Sequence, residues 1–305
     1  LKPKHQRKQQ INQKRQKNQP SQKKRKNLNL IPTLLDMSTI SKEDVLNLRE
    51  KTGAGLIDCK RALTESNGDL DEAISILRKK GVASAAKKAG RDAGEGIISQ
   101  NISEDRSKGI LVEVNCETDF VAKNDDFISF ASEVASILLE TPGIDLEAKR
   151  TEQVAKIGEN IRISRSQILE PTGNGLVESY VHTGSKVAVL VSLTSDSNED
   201  LKDDAVIAMT KDLCMHIAAT SPVCVSRDDV PADLVAKERD IAVAQAEGKP
   251  PQAIEKIVNG KLDKYFSTSC LLEQPFVKNP DQSIGELVES VAKESGLSLK
   301  VEKFI

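Results

Sequence analysis

The sequence predicts an α+β protein that has helical units at its start and near its end. Residues 41–81 repeat apolar side chains at helical spacing. From residue 96 onward, a pattern of two β-rich runs followed by a helical segment occurs twice. After Pro231, two further helical runs meet at the turn GKPP. This order favours antiparallel sheets that are each covered on one face by helices.

The first predicted unit consists of three short helices within residues 37–82. Ser41 is followed by an acidic residue at the third helical position, which is typical of a capping box, so it is expected to start the first helix. Asp69 is expected to cap the third helix, and Gly81 is expected to end it. A unit of about 40 residues has a thin core and is usually a docking module. Residues 83–96 are predicted to be a linker.

The body is predicted to contain two subdomains with a common pattern and an inserted pair of helices. The expected bounds are 97–172 for core subdomain 1, 173–230 with 267–305 for core subdomain 2, and 231–266 for the helical hairpin. The helix of the first copy is expected to start near Asn124, and a closing strand is expected at the end of the chain. In the helical hairpin, runs near 232–246 and 252–266 are joined by a turn in which Pro suits the start of the second helix.

Residues 1–36 differ sharply in composition from the rest of the chain. They carry eleven Lys or Arg and one acid, a net charge of +10, whereas residues 37–305 carry −12. This extension is rich in Gln and Asn and is expected to be disordered. Three interpretations are open: a nucleic-acid-binding arm, an organellar transit peptide, or a non-native upstream segment with Met37 as the true start. We favour the third.

Composition and motifs narrow the classes of function. No run approaches the roughly 18 apolar residues of a membrane span, so a cytoplasmic protein is expected, or an organellar one if the extension is a transit peptide. The five cysteines show no paired spacing, which favours a reducing compartment over disulfides or a metal site. Walker, HExxH and GxSxG signatures are absent. We therefore expect no metal, no cofactor and no catalysis, but a protein that binds another protein.

His216 lies on the apolar stripe of a predicted helix, three residues after Leu213. This position favours a half-buried core or interface histidine over a catalytic base. Cys214 is two positions away and would not share its helical face, so a Cys-His nucleophile pair is not expected.

Phe120 is a scarce aromatic residue in the polar run ETDFVAKND, between a predicted strand and a predicted helix. The chain has 6 Phe, 2 Tyr and no Trp. Two interpretations are open: a core residue that fixes the strand exit, or a projecting ring that is flanked by Asp119 and Lys123 and anchors a partner. The pattern alone favours the core residue. However, the corresponding exit of the second copy, residues 194–200, contains no ring, so the scaffold does not demand one.

Four ordered segments of the chain resemble the elongation factor Ts family. They are LREKTGAGLIDCKRAL at 48–63, NCETDFVAKN at 115–124, MHIAA at 215–219 and QPFV at 274–277. The resemblance extends over residues 38–305. It implies a UBA-like three-helix N-terminal domain, a two-part core and a projecting coiled-coil hairpin. The basic extension is not part of the family pattern.

The resemblance implies a nucleotide exchange factor and not an enzyme. Such proteins bind elongation factor Tu with GDP, disturb its Mg²⁺ site through a Thr-Asp-Phe-Val segment and stay bound until GTP binds. The matching residues here are Thr118, Asp119, Phe120 and Val121. The matching additional partner contacts are His216, Ile217 and Ala218.

Further expectations concern partners and rival functions. The helical hairpin is a candidate homodimer contact, whereas the acidic folded body is not expected to bind nucleotide, nucleic acid or membrane directly. The alternative function is a UBA-like adaptor or scaffold without exchange activity. A cysteine-dependent enzyme that uses Cys116 or Cys214 has the least support.

Overall fold

The computed structural model describes residues 40–196, 201 and 203–305, so the predicted basic extension lies outside it. Its helices are α1 Lys42–Thr52, α2 Leu56–Glu65, α3 Leu70–Lys88, α4 Asp119–Ala122, α5 Asp125–Glu140, α6 Glu147–Ile157, α7 Asp204–Thr220, α8 Ala232–Gln245, α9 Pro251–Ser269 and α10 Ile284–Ser295. Its strands are β1 Glu95–Ile102, β2 Gly109–Cys116, β3 Arg162–Leu169, β4 Gly175–Val181, β5 Ala188–Thr194, β6 Pro275–Phe276, β7 Asn279–Ser283 and β8 Lys300–Phe304. This mixture confirms the predicted α+β class. Within the described ranges, no helix is long and apolar enough to cross a membrane.

The three N-terminal helices pack around a small apolar core. Leu48 and Leu63 are fully buried at its centre. Ser41 forms the predicted capping box with Asp44 at the start of α1. Asp69 caps α3 by accepting a hydrogen bond from the N–H of the third helical residue at 2.8 Å. Both predicted N-caps are therefore confirmed, while the likeness of this unit to a UBA domain stays a prediction.

Helix α3 continues past Gly81, so the prediction that Gly81 ends it is wrong. The helix runs to Lys88 and occupies the start of the segment that was predicted to be a linker. Gly81 is buried, and a Cβ atom added there would lie 3.2 Å from the Cβ of Ala155 on α6. The missing side chain therefore permits close packing of two helices, which offsets the lower helix propensity of glycine.

Two three-stranded antiparallel sheets form the body of the protein. Their strand orders are β1-β2-β3 and β4-β5-β8, so the second strand of each predicted β-hairpin is the middle strand. Pairing with the third strand shifts register between Glu113 and Val114 in one sheet and between Ser192 and Leu193 in the other. Helix α5 packs on the first sheet and α7 on the second. Strand β8 is the predicted closing strand.

Strand β2 shows how alternating side chains build two separate cores. Ile110 and Val112 are buried in the core that the first sheet shares with α5. Leu111 points to the opposite face and packs in a smaller apolar cluster with Val177 of the second sheet. Gly109 lies where the two sheets approach each other, since an added Cβ would be 2.9 Å from Cγ1 of Val177. The sheets therefore pack face to face.

Helices α8 and α9 form the predicted helical hairpin, and α9 extends three residues beyond the expected end, to Ser269. The apolar residues buried between them are Ala242, Val258 and Leu262. At the base, Arg227 forms ion pairs with Asp263 and Glu273, and its guanidinium carbon lies 4.6 Å from the ring centre of Phe266. The projection of the hairpin and its coiled-coil geometry stay predictions.

Candidate partner-binding site

Phe120 projects from α4, a helix of four residues between β2 and α5. Its side chain is 81% exposed, the largest fraction among the large apolar residues that the structure describes. Phe127, at the start of α5, is fully buried in the core of the first sheet. The interpretation of Phe120 as a core residue is therefore wrong, because its ring is exposed, whereas Phe127 is an aromatic residue in this core.

The remaining residues of α4 attach the helix to the body. Ala122 is 6% exposed, and Val121 packs in part against the first core. Thr118 is the N-cap, and its Oγ1 accepts a hydrogen bond from the Val121 N–H at 3.3 Å. A helix this short is not stable alone. Its position therefore depends on these contacts with the rest of the protein.

Asp119 is exposed beside the ring and forms an ion pair with Lys123 one turn later. Lys123 Nζ lies 2.8 Å from Asp119 Oδ2. The hydrogen bond and the charge of this ammonium group lower the pKa of Asp119, which in turn raises the pKa of Lys123. Solvent-exposed pairs of this kind contribute little to stability. Their consequence here is a charged border around an apolar ring.

Glu159 holds the start of α4 from the turn that joins α6 to β3. Its Oε2 accepts hydrogen bonds from the N–H groups of Glu117 and Thr118 at 3.1 and 3.0 Å. Its Oε1 accepts a hydrogen bond from Thr118 Oγ1 at 2.8 Å. This residue was not predicted to belong to the site. An acidic residue that lies far from the motif in sequence gives no local signal of such a contact.

Glu117, which follows β2, accepts a hydrogen bond from the α6–β3 turn, whereas Glu159 in that turn accepts hydrogen bonds from residues 117 and 118. Glu117 Oε1 accepts a hydrogen bond from the N–H of Asn160 at 2.6 Å and forms an ion pair with Arg91. Asn160 is 1% exposed, and its Nδ2 donates to the carbonyl oxygen of Arg91 at 2.8 Å. The end of β2 and the α6–β3 turn are thus joined in both directions. We call Glu117, Thr118, Glu159 and Asn160 the carboxylate clamp.

The segments MHIAA and QPFV lie against each other on the second subdomain. His216 is fully buried, and its Nε2 lies 2.9 Å from Gln274 Oε1. Its Nδ1 accepts a hydrogen bond from the N–H of Val277 at 3.3 Å. Because Nδ1 accepts, Nε2 must carry the proton in a neutral ring. Burial of the ring lowers the pKa of His216.

The three additional contact residues on α7 differ in exposure. His216 is a core residue with both ring nitrogens hydrogen-bonded, so the core interpretation is confirmed, but the ring is fully buried and not half-buried as predicted. Ile217 is also buried, at 5% exposed, whereas Ala218 is half-buried. Val277, whose backbone His216 holds, is 44% exposed. The accessible residues here include Ala218 and Val277, together with Ala219 and Pro275, and His216 holds the backbone of Val277.

Comparison with known proteins covers the part of the chain that contains both groups of residues. A protein-family model described as Elongation factor TS matches residues 117–305. The chain belongs to the elongation factor Ts family. The protein named Elongation factor Ts from Clostridium botulinum (strain Alaska E43 / Type E3) is 43% identical over 282 residues, covering 87% of this chain and 91% of its own. The protein named Elongation factor Ts from Prosthecochloris aestuarii is 41% identical, and the match covers 88% of this chain and 98% of its own. The protein of the same name from Alkalilimnicola ehrlichii is 45% identical, and the match covers 87% of this chain and 90% of its own.

Membership of the elongation factor Ts family supports a role in translation elongation. Cys116 and Cys214, the two cysteines considered as nucleophiles, do not suit catalysis. Burial raises the pKa of Cys116 to about 11 and raises the pKa of Cys214 further. Reactive cysteines are accessible and have a lowered pKa. Among the described residues, no group of three or more His, Cys, Asp or Glu could hold a metal ion.

Proposed function

We propose that the chain binds elongation factor Tu carrying GDP, promotes release of the GDP and stays bound until GTP binds. Phe120 carries this proposal, because a ring that is 81% exposed lies on a helix attached to the body, in the segment that resembles the exchange motif. Thr118, Asp119, Phe120 and Val121 together form the contact. The protein acts by binding and transforms no substrate.

The ring acts as a wedge beside the Mg²⁺ and phosphate site of the partner. In P-loop GTPases, Mg²⁺ bridges the phosphates and is held by a Ser or Thr and an Asp, so a small displacement of these ligands weakens nucleotide binding. Burial of a Phe side chain provides about 1.5–3 kcal/mol, and each 1.4 kcal/mol corresponds to about tenfold in affinity. One ring therefore gives only part of the weakening, and other contacts supply the rest.

Two further surfaces are suited to supply these contacts. On α2 of the N-terminal unit, Ile57 is 76% exposed and Leu56 is 45% exposed. On the second subdomain, Ala218 and Val277 offer surface above the buried His216. Apolar side chains at such positions contribute to binding when a partner covers them, because apolar surface is then removed from water. In this proposal His216 and Ile217 contribute by fixing that surface and not by direct contact.

Exchange and binding are linked in both directions. If the chain lowers the affinity of elongation factor Tu for GDP, GDP must lower the affinity of elongation factor Tu for the chain by the same factor. An immobilised sample of the chain should therefore retain elongation factor Tu without nucleotide and release it when GDP and Mg²⁺ are added. A Phe120→Ala sample serves as the control and should retain less.

The adaptor function is the second candidate, and the exposed apolar residues of the N-terminal unit favour it. Leu46, Leu56 and Ile57 are each at least 45% exposed. An adaptor that binds through this surface would retain its partner whether or not nucleotide is present. Retention that ignores GDP and Mg²⁺ in the same experiment would therefore support the adaptor and contradict the exchange factor.

The helical hairpin is the proposed site of contact between two copies of the chain. Ile241 and Val243 on α8 are 49% and 45% exposed. Isolated apolar residues on a surface are common, so the proposal needs a direct test. Sedimentation equilibrium of the protein and of an Ile241→Glu variant distinguishes a dimer through this surface from a monomer.

A further inference from the structure

We infer that Glu159 is a positioning residue for the partner contact, because it fixes the start of α4 and thereby the direction of the Phe120 ring. This inference rests on the proposed function of Phe120. It assigns a role to a residue outside the Thr-Asp-Phe-Val segment, 39 residues along the chain from the ring. The role follows from three features of the carboxylate clamp.

The first feature is that both oxygens of Glu159 are used. One oxygen accepts two backbone N–H groups, of Glu117 and Thr118, and the other accepts the Thr118 hydroxyl. Hydrogen bonds to an ionised acceptor are shorter and stronger than those between neutral groups. The same Thr118 hydroxyl oxygen accepts the Val121 N–H. A continuous chain of hydrogen bonds thus runs from Glu159 into the helix that carries the ring.

The second feature is that the Phe120 ring has little packing of its own. At 81% exposed, the ring is held by few neighbouring side chains, so the direction in which its Cα–Cβ bond points is set by the backbone of α4. Val121 and Ala122 fix the underside of this helix against the core. Glu159 fixes its first residues. Removal of the clamp would leave the helix attached at one side only, and the ring would sample several directions.

The third feature is reciprocity. Glu159 accepts hydrogen bonds from the backbone at residues 117 and 118, while Glu117 accepts one from the backbone of Asn160. Two segments joined in this way cannot slide past each other without breaking both sets of bonds. A wedge must be rigid to displace groups on its partner, since a site that is ordered before binding loses less on binding.

The experiment compares stimulated release of a fluorescent GDP analogue from elongation factor Tu for three variants of the full chain. Glu159→Ala removes the acceptor and is expected to lower the stimulated rate about tenfold or more, since a displacement of about 1 Å can cost about a hundredfold. Glu159→Gln keeps one oxygen for the two backbone N–H groups and should retain more activity. Glu152→Ala, at an exposed glutamate of α6, is the matched control and should stay within about twofold.

A double-mutant cycle separates positioning from general support of the fold. If Glu159 acts through the ring, Glu159→Ala should cost nothing further once Phe120→Ala is present. A full additional loss on that background would overturn the inference. So would a Glu159→Ala rate within about twofold of the unmodified protein.

Hydrogen exchange on the isolated chain gives a readout that does not depend on the proposed function. In the Glu159→Ala variant, which removes the acceptor, the Thr118 and Val121 amides should exchange faster while amides in the middle of β2 keep their protection. Unchanged exchange at these two amides would overturn the clamp. If the amides respond as expected but Phe120→Ala keeps full activity, the proposed function fails and the clamp stands. If Phe120→Ala is inactive and Glu159→Ala is active, only the present inference fails.

Discussion

Phe120 and Phe127 lie seven residues apart and occupy opposite environments: Phe120 is 81% exposed, whereas Phe127 is fully buried. Asn124 lies between them and caps α5 by accepting hydrogen bonds from the N–H groups of Asp126 and Phe127. The cap begins a new helix and directs Phe127 into the core of the first sheet. The preceding short helix is left free to present Phe120 outward.

This difference in exposure predicts that substitution of the two phenylalanines by alanine has unequal effects on the free energy of unfolding. Phe127→Ala should lower the free energy of unfolding by about 3–5 kcal/mol, because it leaves a cavity in a packed core. Phe120→Ala should change it by less than about 0.5 kcal/mol, the usual range for an exposed residue. Urea denaturation of the two variants, followed by circular dichroism, measures both values. A loss of about 2 kcal/mol or more for Phe120→Ala would mean that the ring supports the fold.

His216 predicts a pH dependence of stability. Burial lowers the pKa of the folded His216 from the ordinary value of 6.5, so the unfolded chain binds a proton more readily than the folded one. The stability from the neutral ring is therefore present above about pH 6.5 and is lost as the pH falls through that value. Denaturation midpoints between about pH 7.5 and 5.5 measure this effect, before most carboxylates titrate.

The control for this prediction is His216→Gln, which cannot titrate. Its stability should be lower at neutral pH, since the hydrogen bonds to Gln274 and Val277 are disturbed. However, it should fall less steeply between about pH 7.5 and 5.5 than that of the unmodified protein. Equal slopes for both proteins would show that His216 does not lose its proton on folding.

The cysteines are predicted to resist alkylation in the folded protein. All five thiols are buried, and with a pKa of about 11 the Cys116 thiol is almost wholly protonated near neutral pH. Iodoacetamide should therefore add no mass to the native protein and should modify every cysteine in concentrated urea. Rapid labelling of native Cys116 with loss of activity would instead support a thiol-dependent mechanism.

Arg227 is predicted to hold the base of the helical hairpin. It pairs with Asp263 and Glu273 and lies over the Phe266 ring. Because Arg227 is about half exposed, Arg227→Ala should cost only about 1 kcal/mol of global stability. Amides of α8 and α9 should nevertheless exchange faster, and Arg227→Lys should restore protection only in part, since Lys lacks the planar fork. If hydrogen exchange of α8 and α9 is unchanged in Arg227→Ala, the base of the helical hairpin is held instead by the apolar cluster around Cys224 and Cys270.

The sequence predicted the elements whose signals are local. The caps at Ser41 and Asp69, the two β-hairpins and the pair α8 and α9 were all expected from spacing and turn residues. Strand β3 was not predicted, because most of its side chains are exposed and polar and show no alternation. Helix α6 was missed for a similar reason, since it buries only Gln153 and Val154. The role of Gly81 depends on Ala155 of another helix, which no local pattern contains.

The site was predictable only in part. Pattern alone favoured Phe120 as a core residue, and the resemblance of its segment to the exchange motif was needed to expect a projecting ring. Glu159 was out of reach, because its contact with Thr118 joins residues 41 positions apart. The comparison with the second copy stays a prediction, since residues 197–200 of its strand exit lie outside the described part of the chain.

Release of a fluorescent GDP analogue from elongation factor Tu tests the central claim most directly. The unmodified protein should accelerate release strongly, Phe120→Ala should lose most of this acceleration, and Ile144→Ala should keep it. Ile144 is a suitable control because it is an apolar residue that is 44% exposed outside the proposed contact. Release by Phe120→Ala at the rate of the unmodified protein would contradict the wedge.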